Sequence, residues 1–149
     1  EWNHDSSLDW HLTEQPPHSQ VQRLIHDLNH LYRAYPALHA WDCNQEGFSW
    51  VDCNDSEQST LSWLRRGPTS NDEIVAVCNF TPVPRHYYRL GVPSSGSWHE
   101  ILNTDAEEYG GSGIGNFGSV EAAPIGWHGQ PCSLTISLPP LGTLFFKKS

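Results

Sequence analysis

Two imidazoles stand four residues apart in His26-Asp27-Leu28-Asn29-His30, the step that puts two side chains on one helical face and lets them share a zinc ion. The general-base Glu that accompanies such a pair in metalloproteases is replaced by Asp27, one methylene shorter. On a helical wheel both histidines lie opposite Leu24 and Leu28, so they face water if the apolar stripe is buried. A solvated face without metal is the expectation. The stretch Gly113-Ile114-Gly115-Asn116-Phe117-Gly118 spells the G-x-G-x-x-G of a dinucleotide loop. That chemistry needs a strand before it and a helix after it, to aim a helix amino terminus at the pyrophosphate. Polar residues 105–108 precede it and Pro124 follows, so a flexible connection between strands is expected instead. Asp52, Asp55, Glu107 and Glu108 offer carboxylates on turns. Glycoside chemistry would need two of them facing each other across a sugar, roughly 5–9.5 Å apart; sequence alone does not place loop acids that way, and acids on turns are expected to be solvated. No Gly-x-Ser-x-Gly elbow and no Cys-x-x-Cys pair occurs, and Cys43, Cys53, Cys78 and Cys132 read as reduced thiols.

Aromatic residues are the remaining class with a chemical use. Flat indole rings stack on the apolar C–H faces of sugars while neighbouring polar groups bind the hydroxyls. Trp2 and Trp10 stand in a polar stretch with Asn3, Asp5 and Asp9. Trp50, Trp63 and Trp98 lie inside strand-like runs and are expected in the core. Trp41 and Trp127 are open between exposure and burial.

The elements that would position these residues are legible in the periodicity. Residues 1–17 are polar and end in Pro16-Pro17, which reads as a loop. Val21, Leu24, Ile25, Leu28, Leu31, Tyr32 and Tyr35 then recur at three- and four-residue steps, predicting a helix from Ser19, its amino-terminal cap, to Tyr35. Pro36 ends it. From Gly47 the period becomes strand-like, with Ile74-Val75-Ala76-Val77-Cys78 a near-continuous apolar run. Leu134, Ile136 and Leu138 alternate with Ser133, Thr135 and Ser137, which fits a sheet with one buried face. Turn clusters at 54–56, 67–68, 93–96 and 139–140 separate the runs, and residues 107–119 form a glycine-rich loop. The fold class predicted is mainly β: an antiparallel β-sandwich of seven or eight strands preceded by one amphipathic helix. Phe48, Trp50, Trp63, Val75, Val77, Leu90, Ile101, Leu134, Ile136, Leu144 and Phe146 are its expected core.

A chain of 149 residues suits one domain, or one domain plus a piece of another. Its 17 acidic against 8 basic residues, for a formal charge of −9, argue against a nucleic-acid partner. No apolar run nears the roughly 20 residues that span a bilayer, so no membrane partner is expected and a cytoplasmic location is. The chain opens on Glu1 rather than Met, as a piece of a longer polypeptide would.

Four separated stretches carry a resemblance. Asn79-Phe80-Thr81-Pro82-Val83-Pro84-Arg85, Glu1-Trp2-Asn3-His4-Asp5 with Leu8-Asp9-Trp10, Val21-Gln22-Arg23-Leu24, and Leu102-Asn103-Thr104-Asp105 resemble, in order, the carboxy-terminal part of bacterial glycogen branching enzymes. The glycine-rich loop is similar to that family's Gly-Gly-Ser-x-x-Gly-Asn loop. The family belongs to the α-amylase-like glycoside hydrolases, whose (β/α)8 barrel carries its Asp nucleophile, Glu acid/base and second Asp upstream of everything matched here. The resemblance therefore implies residues 1–40 as the tail end of that barrel, a loop plus the last helix, and residues 41–149 as a C-terminal all-β sandwich. It implies no catalytic residue in this chain and no activity for it alone. It also places the loop of Trp2, Asn3, Asp5 and Trp10 after the eighth barrel strand, at the active-site rim, where these side chains would touch substrate. The implied partners are an α-glucan such as glycogen and the barrel of the same polypeptide. No metal and no organic cofactor is required. The alternative is a non-catalytic α-glucan-binding or structural β-sandwich module of another α-amylase-family enzyme.

Overall fold

The computed structural model describes residues 3–149. Helix α1 spans Pro16–Ala34, three residues earlier than Ser19 would start it. Pro16 and Pro17, expected in the loop, occupy its first two positions, where a preset φ helps and a missing amide costs no bond. Ser19, expected to cap, instead donates its hydroxyl to the Pro16 carbonyl at 3.1 Å, and Gln15 is the residue before the first turn. Pro36 stops the helix as expected and opens a short 3-10 turn, Pro36–Leu38.

Eight strands follow: β1 (Phe48–Asp52), β2 (Thr60–Arg66), β3 (Glu73–Asn79), β4 (Arg85–Val92), β5 (Gly96–Asn103), β6 (Ser119–Ala122), β7 (Cys132–Leu138) and β8 (Thr143–Lys148). Every pairing is antiparallel. Six strands form one sheet in the order β1-β2-β3-β8-β5-β6, and β4 pairs with β7 in a second. The predicted sandwich is therefore present. Strand β6 was not expected, because its four residues sit against the end of the glycine-rich span and carry only one β-branched apolar side chain.

The β4–β7 pair covers one face of the larger sheet, and the core lies between them. Val75, Val77, Leu90, Trp98, Leu134, Leu144 and Phe146 are fully buried there, with Ile136 at 2 % exposure. Four members of the expected core are not in it. Phe48 and Trp50 are exposed, and Trp63 and Ile101 are half-buried. On β2 the inward positions are Thr60, Ser62 and Leu64. Polar inward residues are tolerated because each is bonded: Asp52 donates its amide to Ser62 Oγ at 3.1 Å, and Thr60 Oγ1 lies 3.0 Å from Tyr88 Oη. Trp63 then falls on the outer face by alternation.

That outer face is covered in part by what precedes the sandwich. Arg65 donates to the Leu38 carbonyl at 3.2 Å and pairs with Asp42, which holds the Asp42 carboxyl below its usual range. Lys147 lies over the Tyr35 ring, 5.8 Å from its centroid. Helix α1 is tied to the β5–β6 connection: Tyr109 donates to Asp27 Oδ2 at 2.8 Å, and Arg23 pairs with Glu108 at 2.6 Å. The apolar stripe of α1 is divided as a result. Leu24, Leu28, Leu31 and Tyr35 are half-buried, whereas Val21, Ile25 and Tyr32 stay exposed. No described helix is long and apolar enough to cross a membrane.

Candidate functional site

Trp2 lies outside the described residues. Asn3, Asp5 and Trp10 are all exposed. The Asn3 side-chain oxygen accepts the Asp5 amide at 3.0 Å, a local turn, and Asp5 Oδ1 lies 3.3 Å from His4 Nε2. Trp10, 63 % exposed, opens the 3-10 turn Trp10–Glu14. The structure thus brings Asn3 and Asp5 together, and among the described residues it bonds Trp10 to neither. Among the described residues these groups make only local turn contacts, which present them without preorganising them for a ligand.

The histidine pair is solvated as expected: His26 and His30 are exposed, with ring centroids 4.5 Å apart. His26 bonds to the neighbouring Asp27 at 2.9 Å. That bond, followed by the one from Tyr109, holds the Asp27 carboxyl below its ordinary value. The charge pair at the helix–loop contact is therefore a structural anchor.

The G-x-G-x-x-G spelling is a strand connection, with β5 before it and β6 after it. Its shape is fixed by two asparagines. Asn103 donates to the Ile114 carbonyl at 2.8 Å. Asn116 donates to Glu100 Oε2 at 2.7 Å and to the Ser137 carbonyl at 3.1 Å, and accepts the Ser137 amide at 2.8 Å. An open groove of about 890 Å³ runs beside this loop, lined by Glu100, Asn103, Tyr109, Asn116 and Phe117 among others. Glu100, Asn103 and Asn116 in its wall are engaged in holding the loop.

Burial pushes the Glu100 carboxyl above its ordinary value of 4.5, against the bonds from Asn116 and Asn103 that favour its charge. An acid whose folded pKa is raised is destabilising once ionised: the penalty begins as pH rises through the unfolded value and is complete above the folded one. Glu100→Gln keeps an acceptor for Asn116 and removes the charge. Its melting temperature is expected to exceed that of the unsubstituted chain at pH 7 and to equal it at pH 4. An offset unchanged between the two pH values would contradict this.

The feature that sequence reasoning misplaced is an exposed aromatic pair. Phe48 and Trp50 sit at i and i+2 on the edge strand β1, both facing out, with ring centroids 5.0 Å apart and planes at 86°. Val51 points inward at 7 % exposure, and this was the one signal of parity in a strand with aromatic residues at alternate positions. Val21, Ile25 and Tyr32 of α1 are exposed as well.

Comparison with known proteins matches this architecture. Residues 50–149 fit the family described as the alpha amylase, C-terminal all-beta domain. Over nearly the whole chain it is similar to proteins named 1,4-alpha-glucan branching enzyme GlgB. It is 56 % identical over 97 % of its length to that of Cereibacter sphaeroides, 54 % identical over 99 % to that of Aquifex aeolicus, and 53 % identical over 99 % to that of Cupriavidus necator. The matched region is 20 %, 23 % and 20 % of those relatives' own lengths, so the chain spans about a fifth of them. The sandwich of β1–β8, its closed core and this match over its strands place the chain in the family of alpha-amylase C-terminal all-beta domains.

Proposed function

We propose that this chain is the non-catalytic, carboxy-terminal part of a 1,4-α-glucan branching enzyme acting in the cytoplasm. The observation that carries the proposal is the near-complete alignment to relatives of that name at more than half identity, over only a fifth of their length. Residues 1–40 would close the catalytic barrel, and residues 41–149 would be a sandwich bracing it. The whole enzyme would cut an α-1,4 bond, hold the cut chain as a glycosyl ester on a carboxylate, and pass it to a 6-hydroxyl, a retaining double displacement with a sugar as acceptor. The carboxylates for those steps would lie outside this chain. Trp2, Asn3, Asp5 and Trp10 would meet the glucan once a barrel stands beneath them.

The brace is favoured over an autonomous glucan-binding module because Val21, Ile25 and Tyr32 leave an exposed apolar stripe along α1, the element that would belong to the barrel. A surface made to be covered has a measurable signature. In the isolated chain, Ile25→Asp should leave thermal stability within about 0.5 kcal/mol, since an exposed site far from the core tolerates charge. In the whole enzyme the same change should lower the melting temperature and speed proteolytic release of the sandwich. Equal tolerance in both contexts would count against the brace.

A further inference from the structure

A 3-10 turn at Glu107–Tyr109, early in the β5–β6 connection, lies against one stripe of α1. Gln20, Arg23 and Asp27 fall at three- and four-residue steps, so all three look to the same side of the helix. Each meets one of three consecutive residues of the turn and its cap. Gly110, at φ 86°, passes so close to Gln20 that a Cβ would stand 2.7 Å from its side-chain oxygen. Glu108 receives the Arg23 guanidinium at 2.6 Å, and Tyr109 donates to Asp27 Oδ2 at 2.8 Å. Burial first, and then that bond, pushes the Tyr109 phenol above its ordinary value, so it stays a donor.

The turn is firmly seated on the sandwich. The Asp105 carbonyl accepts the Gly113 amide at 2.8 Å, its carboxylate accepts the Ser112 amide at 3.0 Å, and its own amide donates to Asn103 Oδ1 at 2.9 Å. The Thr104 amide donates to the Thr143 carbonyl at 3.1 Å and its hydroxyl oxygen accepts the Thr143 amide at 2.8 Å, which joins the turn to β8. On the helix side, Gln20 stands four residues after Pro16, about 6 Å along the axis. Continuous turns lead on toward the amino terminus. The His18 and Ser19 amides bond to the Gln15 carbonyl at 3.0 Å, and the Gln15 amide bonds to the Leu12 carbonyl at 2.9 Å. The Leu12 amide reaches the Asp9 carbonyl at 2.9 Å, and the Thr13 hydroxyl the Trp10 carbonyl at 2.6 Å. The segment of Trp10 is thus coupled to the start of α1.

We propose that Tyr109 is a positioning residue for glucan transfer: from the sandwich it fixes the amino-terminal half of α1, and through α1 the rim loop that carries Trp10. This role presupposes the branching-enzyme reading and that loop's place at the rim. It gives the sandwich a task beyond bracing, since a side chain within residues 41–149 sets where a group within residues 1–40 stands. Tyr35 under Lys147 and Leu38 beside Arg65 tie the chain at the far end of α1. A helix held at that end alone pivots, and a pivot displaces its start most. Over a lever of about 28 Å, a tilt of about 4° carries that start by about 2 Å, more than a substrate contact tolerates. Apolar packing of Val21, Ile25 and Tyr32 on a barrel is non-directional, whereas the bonds made by Tyr109 and Glu108 set rotation and tilt.

The test is steady-state branching of amylose by the whole enzyme, with Tyr109→Phe, Trp10→Ala and the double variant. Tyr109→Phe keeps the ring and removes the bond. Each single variant should raise KM for amylose about fivefold, the loss of about one hydrogen bond. The value of kcat should stay within about twofold, because the loop binds the glucan and does not react with it. The double variant should be no worse than Trp10→Ala, since both changes act through one contact. An unchanged KM in Tyr109→Phe, a fall in its kcat alone, an inert Trp10→Ala, or multiplying effects in the double variant would each overturn the positioning role and leave branching intact. If the unsubstituted enzyme forms no α-1,6 linkages, the branching reading fails, and the positioning role with it.

Discussion

Asn79→Ala is expected to remove about 3 kcal/mol of stability, although the residue touches no candidate site. Asn79 ends β3 at 1 % exposure and uses its whole amide. Nδ2 donates to the Val83 carbonyl at 2.8 Å and to the Pro139 carbonyl at 2.9 Å. Oδ1 accepts the Thr81 amide at 3.0 Å and the Thr81 hydroxyl at 2.8 Å. Pro82 and Pro84 cannot donate amides, so a side chain must bond the carbonyls of this turn and join it to Pro139-Pro140. Alanine would leave the buried Pro139 carbonyl without this donor and the Val83 carbonyl with only the Thr81 hydroxyl, 3.2 Å away. Asn79→Asp should be as harmful, since it exchanges both donors for a charge facing those carbonyls. Denaturant unfolding checks this, and a loss below about 1 kcal/mol for Asn79→Ala would show that water replaces the amide.

Trp98→Ala should cost more, about 3–5 kcal/mol, the range for emptying the site of a large aromatic residue. Trp98 is the largest fully buried side chain, on β5 between the two sheets. Its indole nitrogen donates to the Ser94 carbonyl at 3.2 Å, which ties the β4–β5 turn to the core. Trp98→Phe removes this bond but keeps most of the volume, so it should be several-fold milder. Comparable losses for both variants would place the stabilisation in the bond rather than in the packing.

The elements themselves were legible because each announces its period. The apolar run 74–78 became β3, and the alternation of 133–138 became β7 with the parity expected. Parity failed where both faces of a strand carry apolar side chains. Phe48-Ser49-Trp50-Val51 reads equally well in either register, and only the bonds that Ser62 and Thr60 find inside decide that Trp50 and Trp63 face out. Polar residues at inward positions are invisible to a hydrophobic pattern when their partners are distant in sequence, and Thr60 meets Tyr88 across 28 positions. Burial of that Tyr88 hydroxyl, foremost, pushes its pKa up to about 12. The roles of Asn79 and Asn116 were hidden for the same reason. At the candidate site, the exposure of Asn3, Asp5 and Trp10 follows from a polar loop, but their alignment on a substrate needs a surface that these residues do not form among themselves. Trp127 was undecided in sequence because its exposure depends on Gly91 passing beneath it, a packing fact with no local signature.

The most direct measurement is the number of α-1,6 linkages formed on amylose, read from its anomeric proton signals, after incubation with the whole enzyme and with the 149-residue chain alone. The account predicts new α-1,6 linkages from the whole enzyme and none from the chain at any concentration. Branch formation by the isolated chain, or none by the whole enzyme, would contradict it.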